Sequence, residues 1–332
     1  MLKRCSYEEL CGVLVGALEV EERADGLHAK KCTARQIEAW GAIDPFLGAN
    51  AAATTGIRLD FWTNSKRMRF AFSSGKKVEL LIDELLRAQY DMDEYRARGE
   101  AVEVELNDST KHPKEEVRVT LTFPSHDAPG VLQFLELDAD AYIRPCTYKK
   151  KLLFIGDSIT QGWASEIDSD SFAYRVSRFF EAESVIQGVG GGIFRPSTLE
   201  RVSFEPDAVV VAYGTNDAAG ALATKESFER DVVETLDILE KYYGGHPIFV
   251  ISPIWRGHSD GRPMEDAFRA YRDFLEQEVK GRRGLILVPG LELVPPMPRY
   301  FQDTYLHPND LGFSVYSERL IGRMLPHLSL KA

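Results

Sequence analysis

The hydrophobic pattern of the chain changes character near residue 148. Upstream, short runs alternate apolar and polar residues between Gly, Pro, Asn, Asp or Ser, which is typical of half-buried antiparallel strands. These runs read GIRLDFWTNS, KRMRFAFSS, KKVELLID, AVEVELND, EEVRVTLTFP and VLQFLELDA. They predict that residues 1–147 form an antiparallel β-sandwich.

Downstream, the apolar runs no longer alternate with polar residues. They read LLFIGD, SVIQGV, AVVVAYG, IFVISP and LILVPG, and helical patterns such as ESFERDVVETLDILEKYY and MEDAFRAYRDFLEQEVK lie between them. Strands that bury both faces and alternate with helices are typical of a parallel sheet. We therefore predict that residues 148–332 form a three-layer α/β domain.

Composition and charge exclude several classes of partner. The 332 residues are 44% hydrophobic and 27% charged, as expected for a globular protein with two domains. The 40 basic and 51 acidic residues give a net charge of −11, whereas nucleic acids and anionic membranes require a basic surface. We expect a small-molecule or oligosaccharide partner, with no nucleic acid and no membrane. The oligomeric state is left open.

The four cysteines and the N-terminal segment indicate the cellular compartment in which we expect the protein. Cys5, Cys11, Cys32 and Cys146 form no CxxC pair, which argues against zinc and redox motifs and favours a reducing compartment. Glu8, Glu9 and Glu19 interrupt any hydrophobic segment of signal-peptide length. We expect neither a secretion signal nor a transmembrane span, and hence a cytoplasmic protein.

Unusual polar residues and glycines follow several strands of the second domain. Ser158 directly follows the run LLFIGD, and Asn216 and Asp217 follow the run AVVVAYGT. Four glycines follow the run SVIQ and form a cluster: Gly188, Gly190, Gly191 and Gly192. His307 lies near the C-terminus, just before a proline and a helix start. In open α/β sheets, residues beyond the carboxyl ends of the strands line the ligand crevice.

Each of these features also has a purely structural explanation. Ser158 or His307 would cap a helix, the glycines would make a tight turn, and Asn216 would form an Asx turn. Taken together, however, they supply the parts of an acyl-transfer site. These parts are a hydroxyl nucleophile, a histidine that accepts its proton, and N–H donors for the oxyanion.

With these motifs in order, the sequence resembles the SGNH (GDSL-type) hydrolases over about residues 150–330. In that family GDSIT holds the nucleophile, which makes Ser158 the nucleophile here, and GTND makes Asn216 an oxyanion donor. IQGVGG matches the second block with Gly191 as the oxyanion glycine, although Ile186 occupies the family's usual asparagine position. LHPNDLGF makes His307 the base. The resemblance implies a flavodoxin-like catalytic domain and a third oxyanion donor, the N–H of Ser158.

The sequence departs from the family at the acid of the triad. The family's acid usually stands three residues before its histidine, and here that position is Thr304. Asp303 lies one residue earlier, and one additional loop residue would still allow its carboxylate to reach the imidazole. We favour Asp303. The alternative is a Ser–His dyad in which a backbone carbonyl orients the histidine.

The order of the two domains resembles that of two-domain carbohydrate esterases with a jelly-roll front domain. That likeness makes residues 1–147 a candidate carbohydrate-binding or crevice-shaping domain. The segment ISPIWR resembles a segment after the fourth strand of those enzymes, so Trp255 and Arg256, together with Trp163, are candidate substrate-binding residues. The alternative for the tryptophans is a place in the core.

The sequence therefore predicts a serine esterase that hydrolyses short acyl esters, acetyl above all, on a carbohydrate. No metal or organic cofactor is expected. A long lipid acyl chain is disfavoured because no lid-like amphipathic insertion is recognised around the motifs. An acyltransferase that uses the same residues is the main alternative, and a carbohydrate-binding protein with an inactive catalytic domain is the second.

Overall fold

The structure is a computed structural model that describes residues 1–106, 115–126, 128–220, 222–258 and 265–328. The chain divides into two compact units. Unit 1 comprises Met1–Thr33 and Ala52–Tyr148, and unit 2 comprises Ala34–Ala51 and Lys149–Ala332.

Unit 1 is built mainly from short strands. With elements numbered in chain order, these are β1 (Leu2–Arg4), β2 (Leu14–Val15), β3 (Glu19–Arg23), β4 (Gly26–Lys30), β5 (Arg58–Thr63), β6 (Arg67–Ser74), β7 (Lys77–Ile82), β8 (Leu85–Asp91), β9 (Val102–Glu105), β10 (Val117–Thr122), β11 (Val131–Asp138) and β12 (Arg144–Pro145). Helices α1 (Tyr7–Val13) and α4 (Met92–Arg98) accompany them.

The strands of unit 1 form two antiparallel sheets. One has the order β3-β4-β11-β6-β9, with β1 also paired to β11, and the other has the order β12-β5-β10-β7-β8, with β2 paired to β5. Apolar side chains of both sheets, such as Phe70 and Leu135 from the first and Phe61 and Val119 from the second, share one buried core. This is the predicted β-sandwich.

Unit 2 contains the parallel strands β13 (Lys150–Gly156), β14 (Ala182–Gly188), β15 (Ala208–Ala212), β16 (Ile248–Ile251) and β17 (Leu285–Val288). Its helices are α2 (Ala34–Ile43), α3 (Pro45–Ala52, whose last residue falls in unit 1), α5 (Ser158–Gln161), α6 (Phe172–Phe179), α7 (Thr215–Ala218), α8 (Lys225–Tyr243), α9 (Glu265–Lys280) and α10 (Asp310–Met324).

The parallel sheet has the order β14-β13-β15-β16-β17. The chain therefore adds β14 on one side of β13 and the remaining strands on the other, which is the flavodoxin-like order. Its strands are buried, as the uninterrupted apolar runs predicted. The predicted α/β fold with an additional antiparallel two-sheet domain is confirmed. The order in which the chain adds strands reverses at β13, and a ligand crevice is expected at the carboxyl end of the strands at such a point.

Residues 34–51 differ from the prediction, which assigned all of residues 1–147 to the sandwich. The segment forms a pair of helices whose contacts group it with unit 2. Asp44 accepts the N–H of Phe46 at 2.8 Å, and Pro45 begins α3, which is a common arrangement at a helix start. A single boundary near residue 148 does not describe this segment, because its packing partners follow it by more than a hundred residues.

Within the described ranges, no helix combines the length and the apolar character that a membrane crossing needs. Among the same residues, no three His, Cys, Asp or Glu side chains are grouped so that they could hold a metal ion.

Asp217 of α7 holds the loop after β14 in place from a fully buried position. Its carboxyl oxygens lie 3.1 and 3.4 Å from the backbone nitrogen of Phe194 and accept its N–H. Burial raises the pKa of Asp217 to about 8, although the hydrogen bond from Phe194 opposes that rise. The neutral acid is therefore the form that the fold favours near neutral pH.

We predict that Asp217→Asn changes how stability depends on pH. In the unfolded chain the carboxyl ionises near pH 4, so the parent loses stability as the pH rises from about 4 to about 8. Asparagine keeps the acceptor and stays neutral, so the Tm advantage of the variant should grow across that window and level off above it. Thermal unfolding at pH 5, 6.5 and 8 measures this difference.

Glu234→Gln, an exposed position on α8, is the matched control and should show no such trend. A Tm difference between Asp217→Asn and the parent that is constant with pH would contradict the prediction.

Candidate active site

Ser158 begins α5, directly after the buried strand β13. The helix is capped by Asp157, whose carboxylate accepts the N–H of Ile159 at 2.9 Å. The explanation of Ser158 as a mere helix cap therefore does not apply, because Asp157 fills that role. Burial raises the pKa of Asp157 to about 6, opposed by the hydrogen bond from Ile159. The N–H of Ser158 lies in the first turn of α5, where no helical acceptor precedes it.

The hydroxyl of Ser158 contacts His307. Ser158 Oγ lies 3.0 Å from His307 Nε2, within hydrogen-bond distance. His307 precedes α10, whose cap is Asn309, since the Asn309 side chain accepts the N–H of Gly312 at 3.0 Å. The histidine side chain is thus directed to the serine and is not used as a helix cap.

Asp303 completes the hydrogen-bonded series on the other side of the imidazole. His307 Nδ1 lies 2.8 Å from Asp303 Oδ2. Asp303 Oδ1 accepts backbone N–H groups from three successive residues, Tyr305, Leu306 and His307, at 3.1, 2.7 and 3.0 Å. Burial alone would raise the pKa of Asp303, but these bonds outweigh it and lower the pKa to about 2. Asp303 is therefore a carboxylate at every ordinary pH.

The loop that holds Asp303 accommodates the additional residue through its backbone. Thr304 adopts a left-handed conformation with φ of 71°. Phe301 and Pro308 form an antiparallel bridge that closes the loop, and Gln302 N–H donates to His307 O at 2.9 Å. The chain bulges between the two ends of this bridge, so a four-residue spacing still brings the carboxylate to the imidazole.

The glycine loop after β14 lies beside Asn216. The side-chain amide of Asn216 donates to Gly192 O at 2.9 Å, so it reaches across to the loop instead of closing a local Asx turn. An amide nitrogen carries two hydrogens, which leaves a second one to donate. Gly191 has a φ of 81°, in the region that favours glycine, and its N–H donates to none of the residues in the described ranges. Gly191 and Asn216 therefore offer two N–H donors beside each other.

Gln161 orients this loop, and the sequence analysis missed it. Gln161 Oε1 accepts the N–H of Gly190 at 2.6 Å and the indole N–H of Trp163 at 3.1 Å. The side chain is almost fully buried at the end of α5. A buried amide in so short a helix has no local sequence signature. Ile186, in the family's asparagine position, is a buried core residue of β14.

The three candidate substrate-binding residues lie in different surroundings. Trp163 is partly exposed, and its ring centre is 6.4 Å from that of His307. Trp255 is only 8% exposed and packs on Phe301 in the core of unit 2, with ring centres 5.0 Å apart. Arg256 is half-buried and donates to Thr215 O at 3.1 Å, so it contacts the start of α7, the helix that carries Asn216. Of the three, Trp163 is the one whose ring lies next to the His307 ring.

Comparison with solved structures supports the fold. A salicylyl-acyltransferase from a tetracycline biosynthetic pathway aligns with a TM-score of 0.75 and 18% identity over 99% of each chain. A family two carbohydrate esterase from Cellvibrio japonicus aligns with a TM-score of 0.68 and 14% identity over 99% of this chain and 98% of that chain. An acetyl xylan esterase from the rumen bacterium Butyrivibrio proteoclasticus aligns with a TM-score of 0.61 and 15% identity over 100% of both.

At these identities the likeness concerns the fold alone. None of the curated proteins compared with this sequence matches it. The model of the GDSL-like lipase/acylhydrolase family matches residues 154–315, which extend from β13 into α10. The predicted resemblance is therefore confirmed: residues 154–315, which carry Ser158, Asn216 and His307, match the model of the GDSL-like lipase/acylhydrolase family.

Proposed function

We propose that this protein is a serine esterase that hydrolyses short acyl esters, acetyl above all, on a carbohydrate or oligosaccharide. The observation that carries the proposal is the unbroken series of contacts from Ser158 through His307 to Asp303, at 3.0 and 2.8 Å. These are the distances that a nucleophile, a general base and an orienting acid require.

The mechanism follows from the positions of these groups. Ser158 Oγ attacks the ester carbonyl while His307 Nε2 takes its proton, and an acyl-serine forms as His307 returns the proton to the leaving alcohol. Asp303 holds His307 in the tautomer that leaves Nε2 free to accept, and it stabilises the imidazolium. The N–H groups of Ser158 and Gly191 and the amide of Asn216 bind the oxyanion. Water then releases the acid by the same steps in reverse.

The carbohydrate part of the proposal has separate support. The carbohydrate esterase and the acetyl xylan esterase described above share the fold across nearly the whole chain. Trp163 adjoins His307 and offers a partly exposed ring on which a sugar face would stack. Unit 1 is proposed to bind or position the sugar. Trp255 is not included among the substrate-binding residues, because its core packing accounts for its burial.

Acyl transfer to an alcohol is the second candidate function, and the salicylyl-acyltransferase of the same fold favours it. Both reactions share the acyl-serine, and only the acceptor differs. Incubation with an aryl acetate and added sugar alcohols, followed by mass spectrometry, separates them. Free acetate alone supports the esterase, and an acetylated acceptor in excess over acetate supports the transferase.

The retained contacts among Ser158, His307 and Asp303 argue against an inactive carbohydrate-binding protein. We predict that Ser158→Ala lowers kcat on p-nitrophenyl acetate by roughly 10⁴- to 10⁶-fold, because the only proposed nucleophile is lost. The variant should unfold at nearly the parental temperature. Ser203→Ala, at an exposed position in the same unit, is the control and should keep full activity. Activity of Ser158→Ala within tenfold of the parent would refute the serine mechanism.

The role of Asp303 is tested by Asp303→Asn. The asparagine oxygen still accepts the loop N–H groups, but its amide would donate to His307 Nδ1 and favour the wrong tautomer. We expect kcat to fall by about 10⁴-fold. Because the pKa of Asp303 is about 2, no step in the parental pH profile between pH 4 and 9 should belong to this group.

Thr304→Gly is the matched control for this test, since it relieves the left-handed position and leaves the carboxylate in place. Near-parental activity of Asp303→Asn together with an inactive His307→Ala would show that the carboxylate is not needed and that a Ser158–His307 dyad suffices.

A further inference from the structure

The helix pair α2–α3 packs against the glycine loop of the proposed site, although it lies far away in sequence. Two glycines allow the helices to approach each other, since a Cβ on Gly48 would stand 2.8 Å from the Cα of Gly41. Gln36 of α2 exchanges hydrogen bonds with Gln187 of β14, at 2.9 and 3.3 Å, in a buried pair of amides. Gln36 also donates to Thr198 O at 3.3 Å. These contacts fix the pair to the end of β14.

Side chains of α3 reach Gly190 and Gly191 of the loop. The nearest side-chain atoms to a Cβ built on Gly191 would be Leu47 Cδ2 at 3.0 Å and Phe46 Cε1 at 3.6 Å. A Cβ on Gly190 would meet Trp163 Nε1 at 2.8 Å and Asn50 Oδ1 at 3.0 Å. The start of α3 is thus in contact range of the proposed oxyanion donor.

Phe46 and Leu47 are neighbours in sequence but differ in exposure. Leu47 is 1% exposed and supports the loop from within, whereas Phe46 is 56% exposed. An aromatic ring beside the oxyanion glycine with more than half of its surface open offers apolar area that no described residue covers. Burying such area against a substrate is favourable.

The residues that adjoin one another along the proposed site follow a definite order. His307 is followed by Trp163, then by Gly190 with Asn50, and finally by Gly191 with Phe46. The leaving alcohol must lie at the His307 end, because His307 returns the proton to its oxygen. The carbonyl oxygen lies at Gly191, so the acyl substituent has its place at the end where Phe46 stands.

We propose that Phe46 forms the wall of the acyl-binding part of the site and determines the preference for acyl length. It gives apolar contact to acyl carbons beyond the acetyl methyl, so the site also accepts propionyl and butyryl esters. This inference rests on the proposed function.

The test compares kcat/KM for p-nitrophenyl acetate, propionate, butyrate and hexanoate in the parent and in Phe46→Ala. We expect the variant to keep acetate turnover within about twofold and to lose ~3- to 10-fold on butyrate, mainly through KM, because about one to two methylenes lose their contact. Phe46→Tyr, which keeps the ring, should retain the parental profile. Phe179→Ala removes a ring of similar exposure on α6 and is the matched control.

Two results would contradict the role of Phe46 and leave the proposed esterase function unaffected. One is an unchanged ratio of butyrate to acetate turnover in Phe46→Ala. The other is a loss of kcat/KM in Phe46→Ala that varies with the alcohol part of the ester and not with its acyl group, measured with acetyl esters of several sugars. Labelling of Ser158 by p-nitrophenyl phosphonates with methyl to hexyl chains, followed by mass spectrometry, gives the same comparison without turnover. Absence of both turnover and labelling would overturn the esterase proposal and the acyl wall together.

Discussion

The site depends on the parallel register of three neighbouring strands. Gly156 at the end of β13 lies opposite both Gly188 of β14 and Ala212 of β15, so all three strands end at one level. Ser158, Gly191 and Asn216 follow these paired residues by two, three and four positions. A slip of one residue in either pairing would displace a donor by about 3.3 Å, more than a hydrogen bond tolerates. The register that builds the core therefore also aligns the proposed nucleophile with the proposed oxyanion donors.

Close backbone approach keeps this alignment. A Cβ on Gly156 would stand 2.1 Å from Thr160 Oγ1 and 2.7 Å from Ala212 O, so only glycine lets α5 turn back directly over the strand ends. The turn brings Gln161 to the N–H of Gly190, and this hydrogen bond joins α5 to the glycine loop. Asn216 joins the third strand to the same loop through Gly192 O. The proposed oxyanion donors are thus held in place by contacts within the protein, which is the condition for electrostatic stabilisation of an oxyanion.

The sequence alone was sufficient to predict those features of the structure that depend on residues close together in the chain. Apolar runs predicted the strands of the parallel sheet, and the polar residues after them predicted Ser158 and Asn216 as candidates. The spacing of Asp303 was not decidable in this way, because the left-handed Thr304 and the bridge from Phe301 to Pro308 are what bring the carboxylate to His307. Trp255 shows the same limit. The local sequence around a tryptophan that follows a strand is the same whether the side chain lies in a crevice or in the core. The contact of Trp255 with Phe301 is what places it in the core.

The helix pair α2–α3 was missed for a related reason. Its local pattern is that of two short helices, and the contact that gives the pair a place in the site is made by the amides of Gln36 and Gln187, separated by 151 residues. In the proposed site, the groups that break the ester lie after residue 148 and the acyl wall lies before it. Because packing and not chain continuity joins them, substitutions in residues 34–51 alter acyl preference while Ser158, His307 and Asp303 stay unchanged. Catalytic chemistry and acyl preference can therefore diverge separately in such a chain.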